Sequence, residues 1–286
     1  MLFDKYTINR VLKNVLVQVF LMAVAAACLF PVLWMVRSSF MTNATIFVDP
    51  SLIPRELHPG NYAVAWTRGN FGMYFLNSIL YTASVVMGIV LVSSLAAFAF
   101  SRLRFPGRDF LFYMFVAAMM IPLPGSFVPT FVLMNKLHLV NTRLGYILCM
   151  ISVGLSLSIF LLKTFFDKMP ADLEDAARID GCNRLQIWWH VALPLAAPAL
   201  AVIVIYNSLN VWNEYILATL LLSDNALMPL QRGLMVFNGA YQVDYPVLMA
   251  GLTMTAVPII IVYIIMQKHI VKGLSSGAVG GLYDSA

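Results

Sequence analysis

Long stretches without a charged residue constrain this chain more than any other feature. Six stretches between successive Asp, Glu, Lys and Arg residues are 19 residues or longer, and together they cover over half of the 286 residues. A helix rises about 1.5 Å per residue, so about 20 apolar residues cross the hydrocarbon core of a bilayer. We therefore predict an all-α integral membrane protein with six transmembrane helices. Their expected ranges are 14–36, 75–100, 110–133, 144–166, 191–222 and 246–267.

The composition excludes an ordinary soluble domain. Hydrophobic residues make up 61% of the chain, charged residues 11%, and the mean hydropathy is +0.84. Soluble proteins carry about 25% charged residues. The apolar stretches also lack the polar–apolar alternation of barrel strands. The net charge of +5 comes without a dense basic cluster, so we expect contact with membrane lipid and none with nucleic acid.

The distribution of Lys and Arg predicts the orientation. With the N-terminus inside, the cytoplasmic segments hold 12 of these residues and the external loops hold 6. By the positive-inside rule, both termini are expected in the cytoplasm. The expected organisation is a cytoplasmic N-terminal segment 1–13, a six-helix membrane domain 14–272 with a cytoplasmic loop at 167–190, and a cytoplasmic tail 273–286.

Motifs for catalysis and nucleotide binding are absent from the sequence. It contains no H-E-x-x-H, G-x-S-x-G, C-x-x-C or G-x-x-x-x-G-K-[ST]. Four histidines and three cysteines are scattered, so we expect no metal site and no cofactor bound by this chain. Glu214 is the only carboxylate well inside a predicted span, whereas ion-coupled carriers usually have several. We expect a protein that is not an enzyme and that receives energy from elsewhere.

The loop 167–190 predicts a short helix with both ends marked. Pro170 suits a first helical turn, acidic residues follow it near the positive end of the helix dipole, and Gly181 can adopt the left-handed conformation that ends a helix. A helix lying on lipid is the alternative, but anionic headgroups would repel the acidic turn. The pattern therefore favours docking against a protein. Small and apolar residues at i, i+3, i+4, i+7 form the expected contact stripe: Leu173, Ala176, Ala177 and Asp180.

This loop resembles the EAA signature of binding-protein-dependent ABC importer permeases, E-A-A-x-x-x-G followed after nine residues by I-x-L-P. Here Asp175-Ala176-Ala177 precede Gly181, and Val191-Ala192-Leu193-Pro194 follow after nine residues. Asp for Glu and Val for Ile keep the chemical type. The likeness to the carbohydrate, maltose-type branch extends along the chain, through Leu173–Gly181, Asn77-Ser78, Leu95–Arg102, Phe105–Arg108, Trp212-Asn213-Glu214 and 267–280.

The resemblance implies a type I importer permease for a sugar or oligosaccharide in a bacterial or archaeal cytoplasmic membrane. By the resemblance, such a chain pairs with a second permease chain, and this heterodimer is the translocating unit. Two copies of an ABC ATPase carry the ATP and Mg²⁺. An extracytoplasmic solute-binding protein delivers the sugar, and the external segment 223–245 would face it or form a plain loop. The loop helix would be the coupling helix. Its expected ATPase-coupling residues are Asp172, Leu173, Glu174, Asp175, Ala176, Ala177, Asp180 and Gly181.

The fifth predicted span contains several polar side chains. Asn210, Asn213 and Glu214 share one face at i, i+3, i+4 spacing. They predict the lining of a translocation path, and hydrogen bonding between helices is an equally good interpretation. The candidate path residues are Asn207, Asn210, Trp212, Asn213, Glu214 and Tyr215.

Three functions remain open from the sequence. The first is a sugar importer permease, and the second is an ABC permease for another polar solute such as a polyol, a glycerol phosphodiester or a peptide. The third is a stand-alone membrane carrier or enzyme. A phosphate-bearing substrate would favour basic groups in the path, and the only basic residue in the predicted spans is Lys163, near the cytoplasmic end of 144–166.

Overall fold

The computed structural model describes residues 2–68, 70–121, 123–237 and 243–279, and the regular elements in these ranges are helical. Short π- and 3₁₀-helical segments lie at 188–192, 225–227 and 234–237. The α-helices are α1 Leu2–Ser39, α2 Gly60–Arg68, α3 Phe71–Arg102, α4 Arg108–Ala118, α5 Leu123–Lys136, α6 Arg143–Asp167, α7 Asp172–Ile179, α8 Arg184–Ile187, α9 Leu193–Leu195, α10 Ala197–Trp212, α11 Ile216–Leu221, α12 Leu230–Gly233 and α13 Tyr245–Val279.

The expected all-α membrane architecture is confirmed, but the count of six spans stays a prediction. Among the described residues, four helical stretches are long and apolar enough to cross a membrane: Leu12–Ser39, Phe71–Arg102, Arg143–Asp167 and Tyr245–Ile265. A fifth span results if the bent pair Arg184–Leu195 and Ala197–Trp212 is counted as one. These stretches correspond to the first, second, fourth, sixth and fifth predicted spans.

The third predicted span, 110–133, is two helices rather than one. α4 ends in a tightened turn, in which the N–H groups of Met119 and Met120 donate to the carbonyls three residues back, instead of four, at 3.1 and 3.0 Å. Such tightening satisfies carbonyls at a helix end. The next helix, α5, has Pro124 as its second residue, where a missing N–H costs nothing. The local sequence therefore favours the end of α4 and the start of a separate helix, α5.

The fifth predicted span, 191–222, begins earlier and is interrupted twice. Its helical path begins at Arg184, widens to a π-helix and bends by 78° between the two halves of the pair. Pro194 lies just before the bend and has no N–H to donate, which bends helices unless neighbours satisfy the freed carbonyl. A second break follows at 213–215, before α11.

The chain divides into two compact units, of which the first comprises 1–70 and 236–256. Within it, α1 includes most of the expected N-terminal segment as continuous helix. The loop after α1 is fastened by Arg37, whose guanidinium donates to the carbonyl oxygens of Asp49 and Ser51. The expected cytoplasmic side of the N-terminus stays a prediction.

The second unit comprises 71–235 and 257–286, and its core is the pair formed by α3 and α6. Gly154 of α6 allows close approach, because a β-carbon there would lie 2.3 Å from Cδ1 of Ile89 in α3. It would also lie 2.5 Å from Oδ1 of Asn207 in α10. Glycine at this position therefore lets three helices meet.

Aromatic rings fill the same interface towards both ends. Tyr81 and Tyr146 meet edge to face with ring centroids 4.7 Å apart, and Phe98 and Phe166 do so at 6.0 Å. Such pairs stabilise beyond the area they bury. The α3–α6 pair is therefore packed along most of its length.

The segment after α11 is held against α3 by the Asn77-Ser78 pair. The amide of Asn77 donates to the carbonyl oxygens of Ala226 and Met228 at 2.9 and 3.0 Å, and the hydroxyl of Ser78 accepts from the N–H of Leu230 at 2.8 Å. This pair of polar residues therefore satisfies the backbone of a loop. Of the expected external segment 223–245, residues 238–242 lie outside the described residues, as do residues 280–286 of the expected tail.

Candidate functional site

The loop helix α7 begins slightly later than expected. Its N-cap is Ala171, whose carbonyl oxygen accepts from the N–H groups of Glu174 and Asp175 at 2.9 and 3.0 Å. Pro170 therefore precedes the helix instead of lying in its first turn. The first turn does carry the three expected carboxylates, those of Glu174, Asp175 and Asp172, near the positive end of the helix dipole.

The other end of α7 is closed by Gly181, as the sequence predicts. Gly181 has a φ of +85°, and its N–H donates to the carbonyl of Arg178 at 3.0 Å. The N–H of Cys182 donates to the carbonyl of Ala177 at the same distance. These two bonds form a Schellman motif. The space around Gly181 is open, so its conformation rather than crowding favours glycine here.

One face of α7 is turned into the chain. Glu174 and Ala177, three residues apart, are buried, and a carboxylate oxygen of Glu174 lies 2.6 Å from Nε of Arg102 at the end of α3. The contact is a short ion pair rather than an aligned hydrogen bond. Nη2 of Arg102 donates to the carbonyl oxygens of Phe166 and Met169 at 2.6 Å each. The carboxylate of Glu174, expected at the ATPase contact, is therefore buried and paired within the chain.

The opposite face of α7 is open to solvent. Ile179 is 87% exposed and lies three residues after Ala176, which is also exposed. The sequence interpretation missed Ile179, although its spacing from Ala176 was the available signal. The face therefore combines a central apolar patch with carboxylates. The expected coupling residues that the structure leaves exposed are Asp172, Leu173, Asp175, Ala176, Asp180 and Gly181.

A second short helix follows α7, as expected for about 183–190. Asn183 and Gln186 form a capping box, with reciprocal side chain–backbone bonds of 3.0 and 2.8 Å. Ile187 and Trp188 are buried, whereas Trp189 is exposed. One side of this helix therefore packs against the second compact unit, and the other side is exposed.

Glu214 lies in the break between α10 and α11, and its carboxylate accepts three hydrogen bonds from within the chain. One carboxylate oxygen accepts from the N–H of Leu217 at 2.6 Å. The other accepts from the N–H of Ala218 at 3.0 Å and from the hydroxyl of Tyr146 at 3.1 Å. These N–H groups in the first turn of α11 have no intrahelical partner. Glu214 therefore caps α11 and ties it to α6.

Two further path candidates point into the protein. The amide of Asn207 is buried and donates to the hydroxyl of Ser158 in α6 at 3.1 Å and to the carbonyl of Ile203 at 2.9 Å. Trp212 is also buried, with its ring edge to face against Phe75 at 5.7 Å. For Asn207 and Trp212, packing and bonding between helices therefore account for the position.

The other candidates line an open groove of about 670 Å³ beside the helix break. Its lining includes Asn210, Asn213, Glu214 and Tyr215, together with Tyr206. The exposed amides of Asn210 and Asn213 each donate one bond to the carbonyl four residues back, at 2.9 and 2.8 Å. An amide NH₂ carries two hydrogens, so each retains a donor. The groove can therefore hydrogen-bond a polar solute.

The sequence interpretation missed a second, neighbouring cavity. It has a volume of about 420 Å³ and is lined by the ends of α4 and α5 and by parts of α6 and α10. Its hydroxyl-bearing residues include Thr130, Ser152, Ser156 and Tyr206, the last of which also lines the groove. Ser152 and Ser156 are four residues apart on one face of α6, a spacing that was visible in the sequence.

Comparison with known proteins decides the family. The model of the family described as "binding-protein-dependent transport system inner membrane component" matches residues 89–276, a range that includes α7 and the groove. The chain belongs to this family. It is a multi-pass membrane protein and the permease component of an ABC importer, a system that also contains a solute-binding protein and an ATPase.

Relatives match over nearly the whole chain. The diacetylchitobiose uptake system permease protein of Streptomyces coelicolor is 34% identical over 86% of this chain and 82% of its own length. The trehalose/maltose transport system permease protein of Thermococcus litoralis is 31% identical over 96% and 99%. A chain from the crystal structure of a bacterial ABC transporter involved in the import of the acidic polysaccharide alginate has 27% identity and a TM-score of 0.80. That match covers 89% of this chain and 95% of the other.

Proposed function

We propose that this permease moves a sugar or an oligosaccharide into the cell. The relatives are named for the uptake of diacetylchitobiose and of trehalose and maltose, and the structural neighbour imports alginate. These substrates share many hydroxyl groups on a carbohydrate ring. Amide and hydroxyl side chains hydrogen-bond such groups without requiring charge. The groove and the neighbouring cavity offer side chains of these two kinds.

The path runs through the groove beside the break after α10. Asn210, Asn213 and Tyr215 contact the solute there, and Tyr206 leads to the hydroxyl-lined cavity. Broken helices are tolerated at membrane depth where they line a cavity or are covered by protein. A second permease chain covers the open side of this groove and completes the path, so the translocating unit is a heterodimer.

Coupling to ATP takes place at the exposed face of α7. Two copies of the ATPase bind ATP and Mg²⁺, and one of them docks against Asp172, Asp175, Ala176 and Ile179. The observation that carries this proposal is a helix closed at its C-terminal end by Gly181, with one face fixed to the chain and the other face open. Carboxylates suit basic or N–H donors of the partner, and the apolar centre suits close contact.

The orientation follows from the position of the ATPase. ATP is available in the cytoplasm, so α7 faces the cytoplasm and both chain termini lie on that side. The opposite side, with the segment 223–235, faces the solute-binding protein. The positive-inside distribution of Lys and Arg supports the same orientation.

Reconstitution tests this function. The chain is purified with its partner permease, ATPase and binding protein, and uptake into proteoliposomes is measured for labelled chitobiose, maltotriose, glycerol, a glycerol phosphodiester and a dipeptide. We expect ATP-dependent uptake of at least one of the sugars. Uptake limited to the other solutes would assign a non-sugar permease, and uptake by this chain alone without ATP would contradict the ABC mechanism.

A further inference from the structure

The last residues of α3 hold together three elements of the second unit. Arg102 pairs with Glu174 of α7 at 2.6 Å and donates to carbonyl oxygens at and just beyond the end of α6. Its neighbour Ser101 donates from its hydroxyl to the carboxylate of Asp167 at 2.7 Å, and Lys163 of α6 pairs with the same carboxylate at 2.7 Å. The end of α3, the end of α6 and α7 are thus joined by one polar network.

The Arg102–Glu174 pair is more deeply buried than the other ion pairs of α7. The side chains of Arg102 and Glu174 are 15% and 6% exposed. Arg178 also approaches Glu174, but at 3.7 Å and with a side chain that is 51% exposed. Exposed pairs contribute little, whereas removing one member of a buried pair leaves an uncompensated charge. The link between α7 and α3 therefore depends on Arg102 much more than on Arg178.

Two physical routes connect α7 to the helices of the path. Along the chain, α7 leads to α10 through Gly181, a π-helix and a bend of 78°. Across the network, α7 leads through Arg102 directly to α3, an uninterrupted helix of 32 residues packed along α6. An articulated connection can absorb a displacement, whereas a packed pair of long helices moves as one body.

We infer that Arg102 is a positioning residue that transmits the movement of α7 to the α3–α6 pair. This inference rests on the proposed function, because it takes the ATPase to move α7. Arg102 does not contact the ATPase or the solute; it acts through Glu174 and through the backbone at the end of α6. When Arg102 is neutralised, the ATPase still docks on α7 and hydrolyses ATP, but α3 no longer moves with α7.

The test uses the assembled complex and a reporter on α3. A spin label is attached at Ala83→Cys, an exposed α3 position, after Cys28, Cys149 and Cys182 are replaced by serine. The measurements are ATPase binding, ATP hydrolysis and the change in the electron paramagnetic resonance spectrum on adding ATP and Mg²⁺. For Arg102→Gln, we expect binding and hydrolysis close to those of the unaltered complex and a spectral change reduced about fivefold or more.

Three further variants make the result specific. Arg108→Gln removes another guanidinium that pairs with a carboxylate outside the network, and it should retain the full spectral change. The exchange Arg102→Glu with Glu174→Arg should restore part of the change, because the pair is re-formed with reversed charges. Arg102→Lys keeps the charge but loses the fork that joins Glu174 to the two carbonyls, so an intermediate change is expected.

The outcomes separate this inference from the proposed function. A full spectral change in Arg102→Gln would overturn the inference alone. Loss of ATPase binding in Arg102→Gln, Arg102→Lys and Glu174→Gln together would also overturn it, because the pair would then serve folding or docking. An unaltered complex that neither binds the ATPase nor responds to ATP would overturn the proposed function as well.

Discussion

The α3–α6 pair and the stretch from α8 to α11 are built in opposite ways. α3 and α6 are continuous helices that pack through aromatic rings and a glycine contact. The stretch from α8 to α11 contains a π-helix, a 78° bend and a break at 213–215. The difference shows that a long uncharged stretch of sequence does not by itself indicate a continuous spanning helix. In this chain the interrupted stretch carries the polar groove, and the continuous pair supports it.

The interruption also explains why the polar residues of the fifth predicted span have different roles. A broken helix leaves backbone N–H groups without partners, and Glu214 satisfies two of them. Asn207 joins α10 to α6 through its hydrogen bond to Ser158. Asn210 and Asn213 have neither of these structural roles and are exposed to the groove.

The largest expected effect breaks the continuous pair. Gly154→Leu places a side chain where Ile89 and Asn207 already lie, and overpacking costs about 3 kcal/mol or more. The thermal unfolding midpoint of the detergent-purified protein should fall clearly. Gly125→Leu is the matched control, because Gly125 is exposed and no atom lies within 4 Å of the position of its β-carbon. Equal midpoints for the two variants would show that the pair is not closely packed at Gly154.

The second prediction concerns the helix break. Glu214→Ala leaves the N–H groups of Leu217 and Ala218 without their acceptor, at a cost of about 2 kcal/mol. The unfolding midpoint should fall, and Glu214→Gln should lose less because an amide oxygen remains. An unchanged midpoint in Glu214→Ala would mean that the break does not depend on this cap.

Two asparagines one turn apart sharpen the comparison between support and groove. Asn207→Ala removes the bond to Ser158 and should destabilise the protein by about 1 kcal/mol. Asn210→Ala should leave the unfolding midpoint nearly unchanged and instead alter the relative uptake of the sugars in proteoliposomes. The reverse result, with Asn207→Ala altering selectivity at constant stability, would contradict the assigned roles.

A further prediction concerns two glycines in the left-handed conformation. Gly181 and Gly107 have φ values of +85° and +79°, and both have open space around them. Alanine at either position should cost about 1 kcal/mol or slightly more through backbone strain. Only Gly181→Ala should weaken ATPase binding, as measured by co-purification, because only Gly181 ends α7. Equal weakening by both variants would remove the special role of that helix end.

The sequence predicted the long helices well because their signal is local. Runs without charge marked α1, α3, α6 and the spanning part of α13. The loop helix was also predictable, since Gly181 and the acidic turn lie within a few residues of one another. Its start was misplaced by the position of Pro170, which suits both a first turn and the residue before a cap.

The interruptions and the inward side chains were not predictable in the same way. The run from 185 to 213 is uncharged throughout, and nothing in its charge pattern indicates a bend or a break. The burial of Glu174 depends on Arg102, which lies 72 positions earlier in the chain. Asp175, its neighbour, is exposed. A single sequence cannot say which of two adjacent carboxylates meets a distant arginine.

The central claim is that the exposed face of α7 binds the ATPase, and a charge reversal tests it most directly. Asp175→Lys places a positive charge on that face, whereas Asp109→Lys makes the same change in the first turn of α4. The measurement is the affinity of the purified ATPase for each variant complex in detergent. We predict that Asp175→Lys weakens binding by about tenfold or more while Asp109→Lys does not. Unchanged binding by Asp175→Lys would contradict the account.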